Sequence, residues 1–243
     1  MMLRITLRTR APRSPVARRA GGSGLAAALV GASILGLALP LAVGGCSTAY
    51  YSAMEKVGQD KRDILKSRIE SGREDQKAAQ EQFKTTYQRF QEATGYSGGD
   101  LESVYDRLNT EYERSEARAT DVRDRIASIE KVAKDLFAEW QQEIGTIQKA
   151  SLRAESSKLL ADTKTRYAKV IAAMKKAEGK MPPVLTAFRD QVLFLKHNLN
   201  ARAIASLSGN LGEIEQDVDV LIRDIDASIR ESERFLATLE PAN

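Results

Sequence analysis

The chain has 243 residues, of which 42% are hydrophobic and 29% charged, and its formal net charge is +4. A single cysteine and a single histidine exclude a disulfide framework and the usual His/Cys spacings of metal sites. The positive charge is misleading, because residues 1–45 hold six of the 37 Lys and Arg and none of the 33 Asp and Glu. The remaining 31 basic and 33 acidic residues give a net charge of −2, so the overall charge gives no reason to predict nucleic-acid binding.

The N-terminal segment is organised like a bacterial secretory signal. All six of these arginines lie in residues 1–24, and residues 25–43 form an uncharged run made largely of leucine, alanine and glycine. A basic start followed by an apolar run and small residues predicts export by the general secretory route. The run ends in a motif that resembles the lipobox of bacterial lipoproteins: Leu41-Ala42-Val43-Gly44-Gly45-Cys46.

The lipobox resemblance implies a lipidated Cys46. In such signals the thiol becomes a diacylglyceryl thioether, and cleavage leaves the modified cysteine as the first residue. We therefore predict a cleaved signal peptide over residues 1–45. Two alternatives stay open, an uncleaved anchor helix formed by the nineteen uncharged residues and an ordinary free thiol. Ser47 is not the Asp that commonly retains lipoproteins at the inner membrane, which favours a periplasm-facing position on the outer membrane.

Residues 46–243 are predicted to form an elongated all-α domain of long antiparallel hairpins in a coiled-coil bundle. They are rich in Ala, Glu, Lys, Arg, Gln and Leu, which is typical of long helices. A first helix over residues 50–94 has its apolar residues three and four apart. These residues are Met54, Val57, Ile64, Leu65, Ile69, Ala79, Phe83, Tyr87 and Phe90. Lys61, Gly72 and Gln76 interrupt this seam, which predicts loose packing in the middle of the helix.

A second helix is predicted over residues 100–180, with an alternative break near 145–150. Three glycines precede Asp100, which is a good N-cap, so the first two helices should form an antiparallel hairpin. The seam alternates steps of three and four up to Gly145 and then weakens. It comprises Leu101, Val104, Leu108, Tyr112, Ser115, Ala119, Val122, Ile126, Ile129, Ala133, Leu136, Trp140, Ile144 and Ile147. A continuous helix would be about 120 Å long.

Two further helices are predicted over residues 184–208 and 210–240. Gly179 and the Pro182-Pro183 pair end the preceding helix, and Ser208-Gly209-Asn210 is interpreted as the boundary between the two. Their seams comprise Leu185, Phe188, Val192, Leu195 and Leu199, then Leu211, Ile214, Val218, Leu221, Ile225, Ile229, Phe235, Leu236 and Leu239. Helices with such narrow seams need partner helices to be stable.

Charge separates along these helices. Residues 149–180 hold nine basic and three acidic side chains, and residues 209–240 hold nine acidic and three basic ones. The favoured interpretation is complementary faces on neighbouring helices or solvated surface. The alternative is that the basic stretch contacts an anionic surface such as acidic lipid. The residues that would make this contact are Lys164, Arg166, Lys169, Lys175 and Lys176.

No motif for catalysis, cofactor binding or metal binding is found in the sequence. The phosphate-binding loop, the Gly-x-Ser-x-Gly elbow, the His-Glu-x-x-His motif and the EF-hand loop are absent. His197 falls within a helical pattern, where a surface position or an interhelix hydrogen bond is the expected role. Trp140 lies on a seam, which predicts a core residue. We therefore predict no catalytic residue, no cofactor and no metal, and a protein that is not an enzyme.

The start of the domain resembles a known family. The residues that carry the resemblance are Ala49 to Gly58 (AYYSAMEKVG) and Lys61 to Leu65 (KRDIL). They are similar to proteobacterial lipoproteins catalogued only as a domain of unknown function, and the likeness extends over the whole of residues 46–243. The resemblance implies a signal peptide, a lipidated cysteine and coiled-coil helices, and it brings no activity with it.

The sequence therefore predicts a non-enzymatic scaffold, spacer or adaptor. Acyl chains on Cys46 would hold one end at the membrane, and a rod of about 65 to 120 Å would present helix faces to a protein partner or to another copy. The alternative function is a module that binds envelope lipid or polymer through residues 149–180.

Overall fold

The computed structural model describes residues 60–96 and 98–239, without the side chains of residues 201 and 205. These residues form five helices and no strand, which confirms the all-α prediction. The helices are α1 (Lys61–Thr94), α2 (Leu101–Thr146), α3 (Ala150–Glu178), α4 (Met181–His197) and α5 (Ala201–Leu239). The predicted start of the first helix, residues 50–59, lies outside the described residues, as do the predicted signal peptide and Cys46.

The helices form an antiparallel bundle with four positions. Helix α1 packs against α2 and α5, and α3 and α4 share the fourth position against the same two helices. Gly179 and Lys180, which join α3 to α4, both have right-handed helical dihedral angles, so α4 continues close to the direction of α3. The predicted hairpin of the first two helices is confirmed.

The two ends of the bundle are identified by different contacts, polar at one end and aromatic at the other. At one end Lys61 pairs with Glu139, and Arg62 Nη2 donates to the carbonyl of Leu239 at 2.7 Å. We call this the entry end, because the chain enters α1 there. At the opposite end, the far end, Phe90 stacks on Phe188 with ring centroids 5.2 Å apart. The α1–α2 and α4–α5 turns lie at the far end.

The α1–α2 turn depends on its glycines and on Asp100. Gly98 and Gly99 both have a φ of 134°, which side chains disfavour and glycine adopts freely. Asp100 Oδ1 accepts a hydrogen bond from the backbone N–H of Glu102 at 3.0 Å, which confirms the predicted N-cap. The turn therefore reverses the chain within a few residues.

The middle of α1 packs tightly, so the prediction of loose packing there is wrong. Gly72 is buried, and a Cβ atom placed on it would lie only 2.9 Å from Ile129 Cδ1 and 3.3 Å from Met174 Cε. Gln76 is 1% exposed, and its Oε1 accepts a hydrogen bond from Ser228 Oγ at 2.8 Å. The missing side chain at Gly72 brings the neighbouring helices closer instead of leaving a gap.

The helix predicted over residues 100–180 is broken. Helix α2 ends at Thr146 and α3 begins at Ala150, so the longest helix is the 46-residue α2, which is about 69 Å long, and not a helix of 120 Å. The predicted start at residue 184 is wrong by three residues. Helix α4 begins at Met181, because Pro182 and Pro183 lie in its first turn, where a missing N–H removes no helical hydrogen bond.

The boundary predicted at Ser208-Gly209-Asn210 is also wrong, because these residues lie inside α5. The true boundary lies at residues 198–200. Asn200 Oδ1 accepts a hydrogen bond from the backbone N–H of Ala203 at 3.0 Å and so caps α5. Leu207 on one side of the predicted boundary and Ile214 on the other are both buried, so the same face of the helix packs without interruption.

Candidate functional site

The described chain begins at the N-cap of α1. Asp60 has an extended backbone, with φ −82° and ψ 169°, and its side chain accepts a hydrogen bond from the backbone N–H of Asp63 at 2.9 Å. The helical conformation of α1 therefore begins after this residue. Cys46 precedes Asp60 by 14 residues and lies outside the described residues, so its lipidation stays a prediction.

The five basic residues predicted to contact an anionic surface are all exposed on α3, but they differ in their partners. Lys175 pairs with Glu130 of α2, and Lys176 Nζ lies 2.6 Å from Asp224 Oδ1 of α5. Both pairs link neighbouring helices, as expected for complementary faces. Exposed ion pairs of this kind contribute at most about 1 kcal/mol each to stability.

The other three basic residues lie nearer to the entry end. Lys164 Nζ lies 5.8 Å from the centroid of the Phe137 ring, within range of a cation–π interaction. Arg166 and Lys169 form no ion pair with the described residues. The hypothesis of an anionic-surface contact therefore depends on Lys164, Arg166 and Lys169.

Beneath this surface lies an aromatic cluster. The Tyr167 ring meets the rings of Phe137 and Phe235 edge to face, with centroids 5.4 and 6.4 Å apart. Burial raises the pKa of Tyr167 above its ordinary value, and the charge of Glu130 raises it further. The phenol is therefore neutral at physiological pH, and it packs as a core residue.

A cavity of about 380 Å³ opens at the entry end, where all four positions of the bundle contribute residues. Its apolar lining consists of Leu65, Leu136, Trp140, Leu159 and Leu239. The prediction that Trp140 is a core residue holds only in part, because Trp140 is half-buried and lines this cavity. Its indole N–H donates to Ser156 Oγ at 2.9 Å, which fixes the ring against α3.

The far end carries an exposed apolar surface that the sequence pattern did not predict. Leu193 is 42%, Phe194 43% and Leu199 44% exposed, all close to the α4–α5 turn. Leu199 was predicted as a seam residue, and this is wrong because α4 ends at His197, before Leu199 can pack. We call these three residues the far-end apolar surface.

The other candidate groups do not assemble a reactive site. His197 is exposed at the last residue of α4. Among residues 60–96 and 98–239, no three His, Cys, Asp or Glu side chains are placed to hold a metal ion. In that same part of the chain, no helix combines the length and apolarity needed to cross a bilayer.

Comparison with known proteins gives one family match. A family model described as "Protein of unknown function (DUF2959)" matches residues 50–239, which include all five helices and the eleven residues before α1. No curated protein and no solved structure matches the chain.

Proposed function

Because the chain belongs to this family of proteins of unknown function, DUF2959, we propose its role from its own geometry. It is a non-enzymatic scaffold or spacer of the bacterial outer membrane. Acyl chains on Cys46 anchor the entry end, and the bundle carries the far end away from the membrane into the periplasm. A protein partner binds at the far end.

The proposal rests on one observation: the chain enters the bundle at one end, and the exposed apolar residues lie at the opposite end. The chain enters the bundle only 14 residues after Cys46, whereas the far-end apolar surface lies at the other end of the bundle. The 34 residues of α1 alone separate these ends by about 51 Å. An anchor and a contact surface at opposite ends of a rod are what a spacer requires.

The far-end apolar surface supports the partner contact. This surface has three large apolar side chains near one turn. Exposed apolar side chains that lie in a group mark sites of protein interaction. The hydrogen bond from Asn198 Nδ2 to the Phe194 carbonyl, at 2.9 Å, holds the turn in a defined shape. The partner should present an apolar surface of its own.

The anchor is tested by Cys46→Ala. We expect the variant to leave the membrane fraction after a salt wash, because the acyl chains contribute most of the attachment. The wild-type chain should stay in that fraction. A variant that remains in the outer-membrane fraction would show that lipid on Cys46 is not the anchor.

The partner contact is tested by photo-crosslinking in intact cells. A crosslinking amino acid at Phe194 should capture a defined protein, whereas the same amino acid at Ala117, exposed on the side of α2, should not. Equal capture at both positions, or capture at Ala117 alone, would contradict a partner at the far end.

A second candidate function is binding of an anionic envelope surface. Arg166 and Lys169 favour it, since both are exposed and neither forms an ion pair with a described residue. Reversing the charge of Lys164, Arg166 and Lys169 should abolish binding to vesicles of anionic lipid while helicity is unchanged. Reversal of Arg107, Arg118 and Lys134, exposed on α2, is the matched control. Unchanged binding by the first variant would reject this function.

A further inference from the structure

The α2–α3 hairpin extends beyond the other helices at the entry end. Lys61, the first residue of α1, lies beside Glu139, and α2 continues for seven residues to Thr146, about 10 Å further. Helix α5 ends at Leu239, which is in contact with Arg62. Neither α1 nor α5 therefore covers the last turns of α2 and the first turns of α3.

Two large apolar side chains are exposed near the uncovered part of the hairpin, Leu152 and Leu159. Leu159 is 53% exposed and lines the entry-end cavity, together with Leu136 and Trp140. Leu152, 50% exposed, lies seven residues before Leu159 and so lies on the same face of α3, two turns nearer the tip. An apolar cavity that is continuous with exposed leucines is a surface that another segment can cover.

We propose that residues 50–58 of the same chain occupy this cavity and cover the hairpin. The segment is Tyr50-Tyr51-Ser52-Ala53-Met54-Glu55-Lys56-Val57-Gly58. Its four large apolar side chains are at positions 50, 51, 54 and 57. Apart from the adjacent Tyr50 and Tyr51, neighbours are three or four residues apart, so the four form one face if the segment is helical. The docking does not depend on the anchor at Cys46, but its consequence for the spacer does.

The position of the segment in the chain favours this occupant. Val57 is only three residues from Asp60, a distance of at most about 10 Å, and Arg62 and Leu65 of the following turns already line the cavity. Asp60 has an extended backbone, so the helical conformation of α1 does not include this residue. The residues that follow Leu239 in the sequence, Glu240 to Asn243, are attached as closely, but they include no large apolar side chain to fill the cavity.

The charges at the cavity also match the segment. Glu143 and Arg166 line the cavity, are exposed and form no ion pair with a described residue. The segment carries one basic and one acidic residue, Lys56 and Glu55, between its apolar residues. It therefore offers an opposite charge to each.

The family match supports the same conclusion. It begins at Tyr50, eleven residues before the first described helix, so these residues belong to the domain that the family shares. Only residues 47–49 lie between Cys46 and the start of the match.

The docked segment would set how far the bundle stands from the membrane. With residues 50–58 in the cavity, the chain from Cys46 to Tyr50 spans at most about 14 Å. With the segment undocked, the 14 residues to Asp60 would span up to about 48 Å. Docking would thus shorten the tether between Cys46 and the bundle and give the spacer a defined length.

Trp140 is the reporter that tests the docking, because it is the only tryptophan and it lines the cavity. In the full chain we replace the apolar face of the segment by Tyr50→Ser, Tyr51→Ser, Met54→Ser and Val57→Ser. Trp140 emission should shift to longer wavelength, and its quenching by acrylamide should increase. The control, Ser52→Ala with Gln59→Ala, should leave both unchanged.

Three results would overturn the proposal. Equal quenching in the wild-type chain and in the fourfold variant, with equal helicity, would show that the segment does not cover Trp140. Protection that is lost in Cys46→Ala, but kept in the fourfold variant, would identify an acyl chain as the occupant. Protection that is lost on dilution would identify a second copy of the chain. Under the proposal, Cys46→Ala keeps Trp140 protected, whatever its membrane fractionation shows about the anchor.

A crosslink keeps the proposal testable even if the fourfold variant does not fold. With Cys46→Ala as background, Val57→Cys and Leu159→Cys should form an intramolecular disulfide under mild oxidation. Val57→Cys with Leu193→Cys, at the far end, should not. Absence of the first disulfide, in a chain with wild-type helicity, would reject the docking.

Discussion

Gly72 and Gly209 both lie inside helices, but in opposite surroundings. Gly72 is buried against Ile129 and Met174, whereas nothing lies within 4 Å of a Cβ atom built on Gly209. Gly72→Leu should lower the free energy of unfolding by about 1–3 kcal/mol or more, because the added atoms overpack the core. Gly209→Ala should raise it by about 0.5–1 kcal/mol, because alanine restricts the unfolded chain and favours helix.

Urea denaturation of the two variants checks this prediction, and Gly209→Leu is the matched control for the size of the new side chain. If Gly72→Leu and Gly209→Leu were equally stable, the close approach of α1 to its neighbours at Gly72 would be wrong.

Ser228 and Ser232 are both fully buried on α5, but their hydrogen bonds differ. Ser228 Oγ donates to the side chain of Gln76 at 2.8 Å, whereas Ser232 Oγ donates to a carbonyl of its own helix. Ser228→Ala should cost about 1–3 kcal/mol of stability, because it leaves the buried Gln76 Oε1 without a donor. Ser232→Ala should cost less, since the carbonyl of residue 228 can keep its bond within the helix.

A double-mutant cycle with Gln76→Leu measures the pair directly. The double variant Gln76→Leu with Ser228→Ala should be more stable than the sum of the single effects predicts, because no buried polar group is left unpaired. Simple additivity would show that the two side chains do not interact.

Tyr167 makes the stability of the fold depend on pH in the alkaline range. Burial raises its pKa in the folded chain, while in the unfolded chain the phenol titrates near its ordinary value of about 10. The stabilisation is fully present below that value and is lost as the pH rises above it, since the unfolded chain loses its proton first. Tyr167→Phe should therefore reduce the loss of stability above about pH 10, as measured by urea denaturation at several pH values. A variant with the wild-type pH profile would contradict this.

Some single residues of the core could be predicted from the sequence and others could not. Apolar residues such as Phe83 and Ile129 were recognised from their spacing, because periodicity reports which face is buried. Glu111 is only 9% exposed, whereas the neighbouring Tyr112, which was predicted to lie on the seam, is half-buried. A pattern of apolar residues does not identify a buried glutamate. Its burial is explained by partners on the folded chain: Gln82 Nε2 and Arg114 Nη1 donate to its carboxylate at 2.7 and 2.8 Å.

At the scale of the helix, the start of α5 depends on one side chain. Asn200→Ala should lower the free energy of unfolding by about 1 kcal/mol, because it removes the side-chain acceptor of the Ala203 N–H and leaves only the backbone carbonyl of residue 200. Asn210→Ala, the matched change inside α5, should be neutral or slightly stabilising, because alanine is the better helix former. Thermal unfolding followed by circular dichroism checks both. A larger loss for Asn210→Ala would instead place the boundary where the sequence pattern put it.

The same helix shows why boundaries were harder to predict than helices. Ser208-Gly209-Asn210 has the residues of a helix end, and propensity alone favours a break there. In the structure Leu207, Ile214 and Val218 keep α5 continuous, since their burial against the bundle outweighs the roughly 1 kcal/mol cost of a helical glycine. At residues 147–149 the sequence pattern and the structure agree, because the apolar seam weakens beyond Gly145 and the structure has a break between α2 and α3.

For the whole molecule, periodicity predicted helices and an antiparallel first hairpin, but not how the remaining helices share the bundle. The seams of α3 and α4 look like those of separate elements, and only the packing of both against α2 and α5 shows that they share one position. The entry-end cavity arises only when α1, α2, α3 and α5 meet, so no single stretch of the chain predicts it. The far-end apolar surface lies within residues 193–199, but its exposure follows from where α4 ends in the folded bundle.

The arrangement of the whole bundle is decided by whether the α2–α3 hairpin closes within one chain. Arg123 Nε lies 3.1 Å from Glu178 Oε1 in the folded hairpin, whereas a continuous helix would place these residues about 83 Å apart. With Cys46→Ala as background, Arg123→Cys and Glu178→Cys should therefore form a disulfide within one chain, and Arg123→Cys with Lys149→Cys should not. Denaturing electrophoresis without reductant distinguishes a monomer from a crosslinked dimer. A disulfide formed only between chains would mean that the hairpin opens at residues 147–149 and exchanges helices between copies. The spacer would then be a longer, two-chain rod.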